Sequence, residues 1–367
     1  MIQLAGPTFS PGVVNEISQV LADGQLVQGS RVEEFERESA NFLGAKYSVA
    51  VMNGTSALEL ALIALGIGPG NQVAVPAYSF VASASAVVRV GATPVFVDVR
   101  SADLTMDPDL ASDLIEGGHL DAILPVDEFG FPSDVSHLKH FDGRVVIVED
   151  AACAFGTESN PRIGAYADAW CYSLHPRKVL TSGEGGLICT NNDDLAASLR
   201  LYRNHGMVKS EGGIDCVTAA TNARMTEIQA ILAWDQLQTL GLRLDRRRQI
   251  ASYYNEELSG SSMVLPEVPA GCLPNWQTFL VRFPSSETRD SAARSLARAQ
   301  IGSSVGAQCI PAMSWYGKSD PTLNVAAAFP NAWNAWKTGL AIPLHESMSD
   351  HEVERVVEAL QAVKEIR

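Results

Sequence analysis

Ser173-Leu-His-Pro-Arg-Lys178-Val-Leu-Thr-Ser-Gly183-Glu-Gly-Gly186 places a single lysine, Lys178, on a glycine-rich turn between two apolar runs. Pro176 before it, and Gly183, Gly185 and Gly186 after it, let the backbone turn sharply and pass close to a ligand. A lysine in that setting has little reason to be solvated. Burial, with Arg177 beside it, is expected to lower its pKa and raise the fraction of neutral amine, so Lys178 reads as a candidate Schiff-base nucleophile. Upstream, the apolar run Val145 to Val148 ends in Glu149-Asp150-Ala-Ala152, which puts an acid at a strand's carboxyl end twenty-eight positions before the lysine. Taken alone, Asp150 reads first as half of a structural pair with an arginine, the commoner fate of an acid at a strand end. The functional alternative is a carboxylate that keeps a heterocyclic nitrogen protonated.

Outward from these two motifs, apolar strand-like runs alternate with helical ones: Ser48 to Val51, Gln72 to Val75, Pro94 to Val97, Ala122 to Leu124, Val145 to Val148, Trp170 to Ser173 and Gly186 to Thr190. The alternation predicts an α/β fold with a mostly parallel central sheet flanked by helices. Leu58, Ala61, Leu62 and Leu65 recur at helical spacing after the first run, and Gly66 ends that segment. Residues 193 to 204 and 226 to 258 read as helices, the second interrupted near Gly241. Beyond Gly260 the chain changes to a smaller α+β region, with a strand at Phe279 to Phe283 and a helix near Arg289 to Ala299. Its last helix starts at a capping box formed by Ser349 and Glu352. The expected division is a large domain over 1–245 and a small one over 246–367.

In such sheets ligands gather beyond the carboxyl ends of the strands. Asn53-Gly-Thr-Ser56 lies at one such end, where a helix start offers N–H groups and two hydroxyls to an anion; the plainer reading is that Thr55 or Ser56 caps the helix. Phe80 offers a flat ring at another strand end, for stacking or for the core. His175 and His205 have no partner at metal-ligand spacing, so no metal is expected. A formal charge of -15 over 367 residues argues against nonspecific binding to nucleic acid or to an anionic membrane. Six scattered cysteines without a C-x-x-C pair, no visible signal peptide and no membrane-length apolar run point to a reducing, cytoplasmic setting.

Acid first and lysine later is the order found in many pyridoxal-phosphate enzymes. The chain resembles the DegT/StrS-type nucleotide-sugar aminotransferases, fold type I enzymes of that class. The likeness is carried by Asn53-Gly-Thr-Ser-Ala-Leu-Glu-Leu-Ala-Leu, Gly66-Ile-Gly-Pro-Gly, Gly91-Ala-Thr-Pro-Val-Phe-Val-Asp98, Glu149-Asp-Ala-Ala, Ser173-Leu-His-Pro-Arg-Lys, Gly183-Glu-Gly-Gly, Arg203-Asn-His-Gly-Met207, Asn222-Ala-Arg-Met-Thr-Glu-Ile-Gln-Ala230 and Ile342-Pro-Leu-His345. The Ser-x-His-Pro-Arg-Lys form is similar to the perosamine-synthase-like branch.

The resemblance implies a transaminase that takes an amino group from a donor, L-glutamate, and gives it to a keto-sugar nucleotide. Pyridoxal 5′-phosphate would be the cofactor and pyridoxamine 5′-phosphate its intermediate form. It implies Lys178 as the covalent lysine, Asp150 at the pyridine nitrogen, Thr55, Ser56 and Ser173 at the phosphate, Phe80 on the ring and Cys153 near the cofactor hydroxyl. Asn222 would reach the phosphate of a neighbouring subunit, which makes the expected enzyme a homodimer with shared sites. Arg224, Glu184 and His175 are the substrate-side candidates, with a salt bridge from Arg224 to Glu227 as the structural alternative. Some positions depart from the family pattern: Cys153 stands for a common Gln, Asp127-Glu128-Phe129-Gly130 for a His-containing segment, Val179 for Asn or His, and Gln308 to Tyr316 lacks a frequent His. Rival readings are an aminocyclitol or other keto-ring aminotransferase, a pyridoxamine-dependent sugar dehydratase, which would carry His at the lysine position, and a noncatalytic cofactor-binding regulator.

Overall fold

The computed structural model describes residues 1–136, 143–318 and 320–363. The first half holds β1 (Tyr47–Val51), β2 (Gln72–Pro76), β3 (Tyr78–Ser79), β4 (Thr93–Val97), β5 (Ala122–Ile123), β6 (Val146–Asp150), β7 (Ala169–Ser173) and β8 (Gly186–Thr190). All but β3 join one sheet in the order β1-β8-β7-β6-β5-β2-β4. The strands from β4 to β7 pair in parallel, whereas β8 runs antiparallel to both β7 and β1. The mostly parallel sheet therefore matches the expectation. The glycine-rich stretch is the reversal that returns the chain from β7 to its neighbour β8, closed by Leu174 N–H donating to Gly185 O at 2.8 Å and Ser182 N–H to Leu174 O at 3.0 Å.

Helix α1 (Val13–Asp23) packs on the later helix at Glu227–Gln238, and α2 (Ser30–Leu43), α3 (Gly54–Ala64), α4 (Ala82–Arg89), α5 (Pro108–Glu116) and α6 (Asp193–Tyr202) cover the sheet. On one face Leu58, Ala61 and Leu62 of α3 pack against Val75, Val148 and Ile188. On the other, Val32 and Phe35 of α2 pack with Ala50, Trp170 and Leu187. Alternate residues of one strand thus enter different cores, as the pleat dictates. Then come the exposed hairpin β9 (Met207–Ser210) and β10 (Gly213–Cys216), and the helices α7 (Glu227–Gln238) and α8 (Leu240–Glu257). The break expected near Gly241 falls at Thr239, where Thr239 N–H turns back to Gln236 O; Gly241 itself is helical.

The C-terminal part contains β11 (Phe279–Arg282), α9 (Ser286–Arg298), β12 (Gln308–Cys309), α10 (Val325–Ala328), α11 (Pro330–Thr338), β13 (Gly339–Ile342) and α12 (Asp350–Gln361). β11 pairs antiparallel with β13, and α9 and α12 share their core. The capping box is present: Glu352 N–H donates to Ser349 Oγ at 3.3 Å and Ser349 N–H to Glu352 Oε2 at 2.9 Å. Several contacts hold this part to the preceding one. β12 pairs with β3, and the Glu346 carboxylate receives Arg243 at 2.6 Å and Arg247 at 3.0 Å from α8. Position 245/246, the expected domain boundary, falls inside α8. Among the described residues no helix is long and apolar enough to cross a membrane.

Candidate active site

The carboxyl ends of β6 and β7 are adjacent, so Asp150 and the turn bearing Lys178 meet at one edge of the sheet. Asp150 is 4% exposed. Its Oδ2 accepts from Ser83 Oγ at 2.7 Å and its Oδ1 from Ala152 N–H at 3.1 Å, so its partners are a hydroxyl and a backbone amide, not an arginine. Burial holds its pKa above the ordinary aspartate value, against the pull of Ser83, Ala152 and Lys178. Lys178 Nζ donates to Cys153 Sγ at 2.9 Å. Its pKa corrects the expectation. Burial does pull it down, but Cys153, Asp150 and Glu128 more than offset this, and the lysine lies above its ordinary value. Arg177 is exposed and spends its guanidinium on Ser304 Oγ at 3.3 Å. Burial likewise pushes the Cys153 thiol up, with Lys178 acting against it.

A second corner lies at the start of α3. Asn53, not Thr55 or Ser56, caps this helix, its Oδ1 accepting from Ser56 N–H at 2.8 Å. The cap leaves both hydroxyls to other use. Two glycines make the close packing here. A Cβ on Gly54 would stand 2.8 Å from Ser173 Cβ, and one on Gly186 would stand 2.5 Å from Asn53 O. The Gly54-Thr55-Ser56 amide edge is thereby pressed against Ser173 at the end of β7. Ser173 thus lies against the helix N-terminus that carries Thr55 and Ser56, and a helix start offers amide donors suited to a phosphate.

Phe80, 62% exposed, follows Ser79 at the open side. His175 is exposed; its Nδ1 accepts from Arg177 N–H at 3.2 Å, and burial lowers its pKa while Glu184 opposes. Glu184 is exposed on the same turn, anchored through its carbonyl by Gln229 Nε2 at 2.7 Å. Asn222 and Arg224 stand apart from this cluster. They run beside the exit of β1, where Met52 N–H donates to Ala223 O at 2.9 Å. Arg224 Nη1 donates to Asn204 Oδ1 at 2.6 Å, and the alternative bridge to Glu227 is absent: that carboxylate instead accepts from Gly29 and Val32 N–H at the start of α2.

Ser79, Ser83 and Glu128 are members of the site that sequence reasoning missed. Ser79 ends β3 and Ser83 lies in the first turn of α4, so no single periodicity joined them in the sequence. Glu128 stood in view inside a departing segment, with nothing local to show which way it faced.

A model of the DegT/DnrJ/EryC1/StrS aminotransferase family matches residues 10–361. GDP-perosamine synthase of Caulobacter vibrioides is 33% identical over 91% of this chain and 90% of its own length. UDP-N-acetyl-3-dehydro-alpha-D-glucosamine 3-aminotransferase of Acidithiobacillus ferrooxidans is 34% identical over 80% and 79%. Among solved structures, the PMP form of Spr1654 from Streptococcus pneumoniae superposes with a TM-score of 0.92 at 28% identity, covering 99% of both chains.

Proposed function

We propose that this chain, which belongs to the DegT/DnrJ/EryC1/StrS aminotransferase family, transfers an amino group from L-glutamate to the keto group of a sugar nucleotide. The acceptor class rests on the named activities of the relatives, and the donor on family resemblance. The observation that carries the reading is the convergence of a buried acid, an amine and an anion cradle on one sheet edge. The same donor set fits pyridoxal 5′-phosphate and pyridoxamine 5′-phosphate: Gly54 and Gly186 leave no room for side chains at the cradle, and Glu128 Oε2 is buried nearby without a partner. When bound, this cofactor supplies an amine-reactive aldehyde and an electron sink.

Lys178 would hold the cofactor through Nζ, and Thr55, Ser56 and Ser173 would receive its phosphate. Asp150 would stand against its ring nitrogen. Being raised by burial, that carboxylate gains most from an N–H⁺ partner, which returns the compensation its site withholds. Phe80 would cover the ring and Cys153 its hydroxyl. With Nζ free, Lys178 would take the proton from the donor's α-carbon and would deliver one to the sugar carbon that becomes amine-bearing. Glu184, His175 and Arg224 are assigned to the substrate side.

A homodimer belongs to this reading. In it Asn222, exposed beside β1, would serve a neighbour's phosphate, and the exposed apolar side chains Val14, Leu21, Val27, Ile214 and Val217 are compatible with a covering partner. Six free thiols support a reducing cytoplasm. The large and small domains are proposed at 1–245 and 246–367, with α8 as their shared helix. Adding L-glutamate to the purified holoenzyme should yield 2-oxoglutarate in one-to-one ratio with sites, and a panel of keto-sugar nucleotides should then consume the bound amino group. No keto acid from any amino donor would refute transamination.

A further inference from the structure

Three consecutive residues just ahead of β11, Asn275-Trp276-Gln277, reach back from the C-terminal part to the loops that carry Cys153 and Lys178. All are buried, Asn275 being 0% and Gln277 9% exposed. Asn275 Nδ2 donates to Cys153 O at 2.8 Å and to Phe155 O at 3.0 Å. Gln277 Nε2 donates at 2.9 Å to Arg177 O, the carbonyl of the residue before the lysine. The two amides are themselves oriented: Asn275 Oδ1 accepts from Gln277 N–H at 2.9 Å, and Gln277 Oε1 accepts from Thr278 Oγ1 at 2.8 Å. Because Lys178 Nζ donates to Cys153 Sγ at 2.9 Å, a closed circuit results. It runs from Lys178 to Cys153, through Asn275 and Gln277 to Arg177 O, and back along the chain to Lys178. The links through Asn275 and Gln277 do not use Nζ, so they persist when the amine is engaged elsewhere.

Trp276 has φ 51°, a left-handed value that costs a bulky residue energy and persists only where the surroundings enforce it. Its carbonyl accepts from Arg247 Nη1 at 3.0 Å, and its ring stacks on Phe279 and meets Phe131 edge-on. A lysine carries its amine on a flexible four-carbon stem, so reproducible placement of Nζ depends on the main chain being pinned on both sides of its contact. We propose that Asn275 and Gln277 are positioning residues that fix Lys178 Nζ against Cys153 for the amino transfer. The proposal rests on Lys178 being the reactive amine. Buried amides that only satisfied nearby carbonyls would add stability and nothing else. Amides that pin both ends of one contact also set its geometry, and a misplacement of about 1 Å at a reacting group can cost about 10²-fold in rate.

The test is Gln277→Met, which keeps most of the volume and removes the donor to Arg177 O, with Thr278→Val as a second variant that frees the Gln277 amide to turn. Ser295→Ala is the control, because it deletes a side chain-to-carbonyl bond of the same kind, Ser295 Oγ to Ala359 O at 2.8 Å, between α9 and α12. In the holoenzyme, Gln277→Met should lower kcat by about 10- to 100-fold and leave KM for donor and acceptor within about twofold of the parent's. In the cofactor-free protein, alkylation of Cys153 by iodoacetamide, mapped by mass, should quicken by about two- to tenfold, the worth of one loosened hydrogen bond. Thr278→Val should move both readouts the same way by less, and Ser295→Ala should lower the melting temperature and move neither. A parental kcat in Gln277→Met, a loss that falls on KM instead, parental Cys153 alkylation, or a control that moves both readouts as far would each overturn the proposal. If Gln277→Met does not fold, Thr278→Val decides, and parental values in it overturn the proposal. A borohydride label away from Lys178 would refute the proposed function, whereas Cys153 alkylation does not depend on which amine carries the cofactor and still decides the placement by Asn275 and Gln277.

Discussion

Among the described residues, two groups of buried charge differ in whether they are closed. At the junction of α8 with the C-terminal part, Glu346 meets Arg243 and Arg247, and the guanidiniums also donate to Thr8 O at 2.6 Å, Trp276 O at 3.0 Å and Leu344 O at 3.1 Å. Burial acts to raise Glu346, but the two arginines outweigh it and hold the carboxylate below its ordinary value. At the sheet edge, Asp127, Glu128, Glu149 and Asp150 are all buried and all raised, with burial the leading cause in each. Burial thus ends in opposite shifts according to whether cations are supplied within the chain. The closed cluster clamps the fold; the open one meets Lys178 as its cation among the described residues and keeps capacity for a cationic ligand.

The comparison breaks most sharply at the lysine. Lys178→Ala should lower kcat by about 10³-fold or more, since both the covalent anchor and the general acid–base are lost, while the melting temperature of the cofactor-free protein stays near the parent's. Steady-state kinetics and calorimetry on the same preparation check both halves. The converse change is Glu346→Ala, which strands two buried guanidiniums. It should cost about 3–5 kcal/mol in denaturant unfolding, and a loss below about 1 kcal/mol would mean that the clamp is not the tie described.

A third test reads the open cluster through pH. Glu149 is raised to about 7 by burial, opposed by Gly164 N–H at 2.7 Å and by its contact with Asp127. An acid with a folded pKa above its unfolded value holds an extra proton when folded, so stability falls as pH climbs from the ordinary glutamate range to about 7 and stays reduced above it. Glu149→Gln should flatten that fall and leave the variant more stable than the parent above pH 7, by roughly 1–3 kcal/mol. Equal slopes for both proteins would contradict the open cluster. The smallest effect belongs to the cradle: Ser173→Ala should weaken cofactor affinity by about tenfold, the worth of one hydrogen bond to a charged group, measured by titrating the cofactor-free protein.

Much of this was legible in the chain. The apolar runs became β1, β2 and β4 to β8 because consecutive β-branched and aromatic residues fit a strand buried on both faces. Ser349 and Glu352 announced α12 because a capping box is purely local. Other features depend on contacts far apart in sequence. The reversed direction of β8 follows from its pairing with both β1 and β7, and no local pattern shows the order of strands. The rise in Lys178 pKa comes from Cys153, Asp150 and Glu128 on other segments, whereas the sequence neighbour Arg177 turned to Ser304. Arg224 likewise left Glu227, three positions on, for Asn204, because the start of α2 had claimed that carboxylate.

The most direct test of the central claim is reduction of the holoenzyme with borohydride, followed by proteolysis and mass mapping of the cofactor-bearing peptide. The label should lie on Lys178 in stoichiometric yield. A label on any other lysine, or none, would contradict the account.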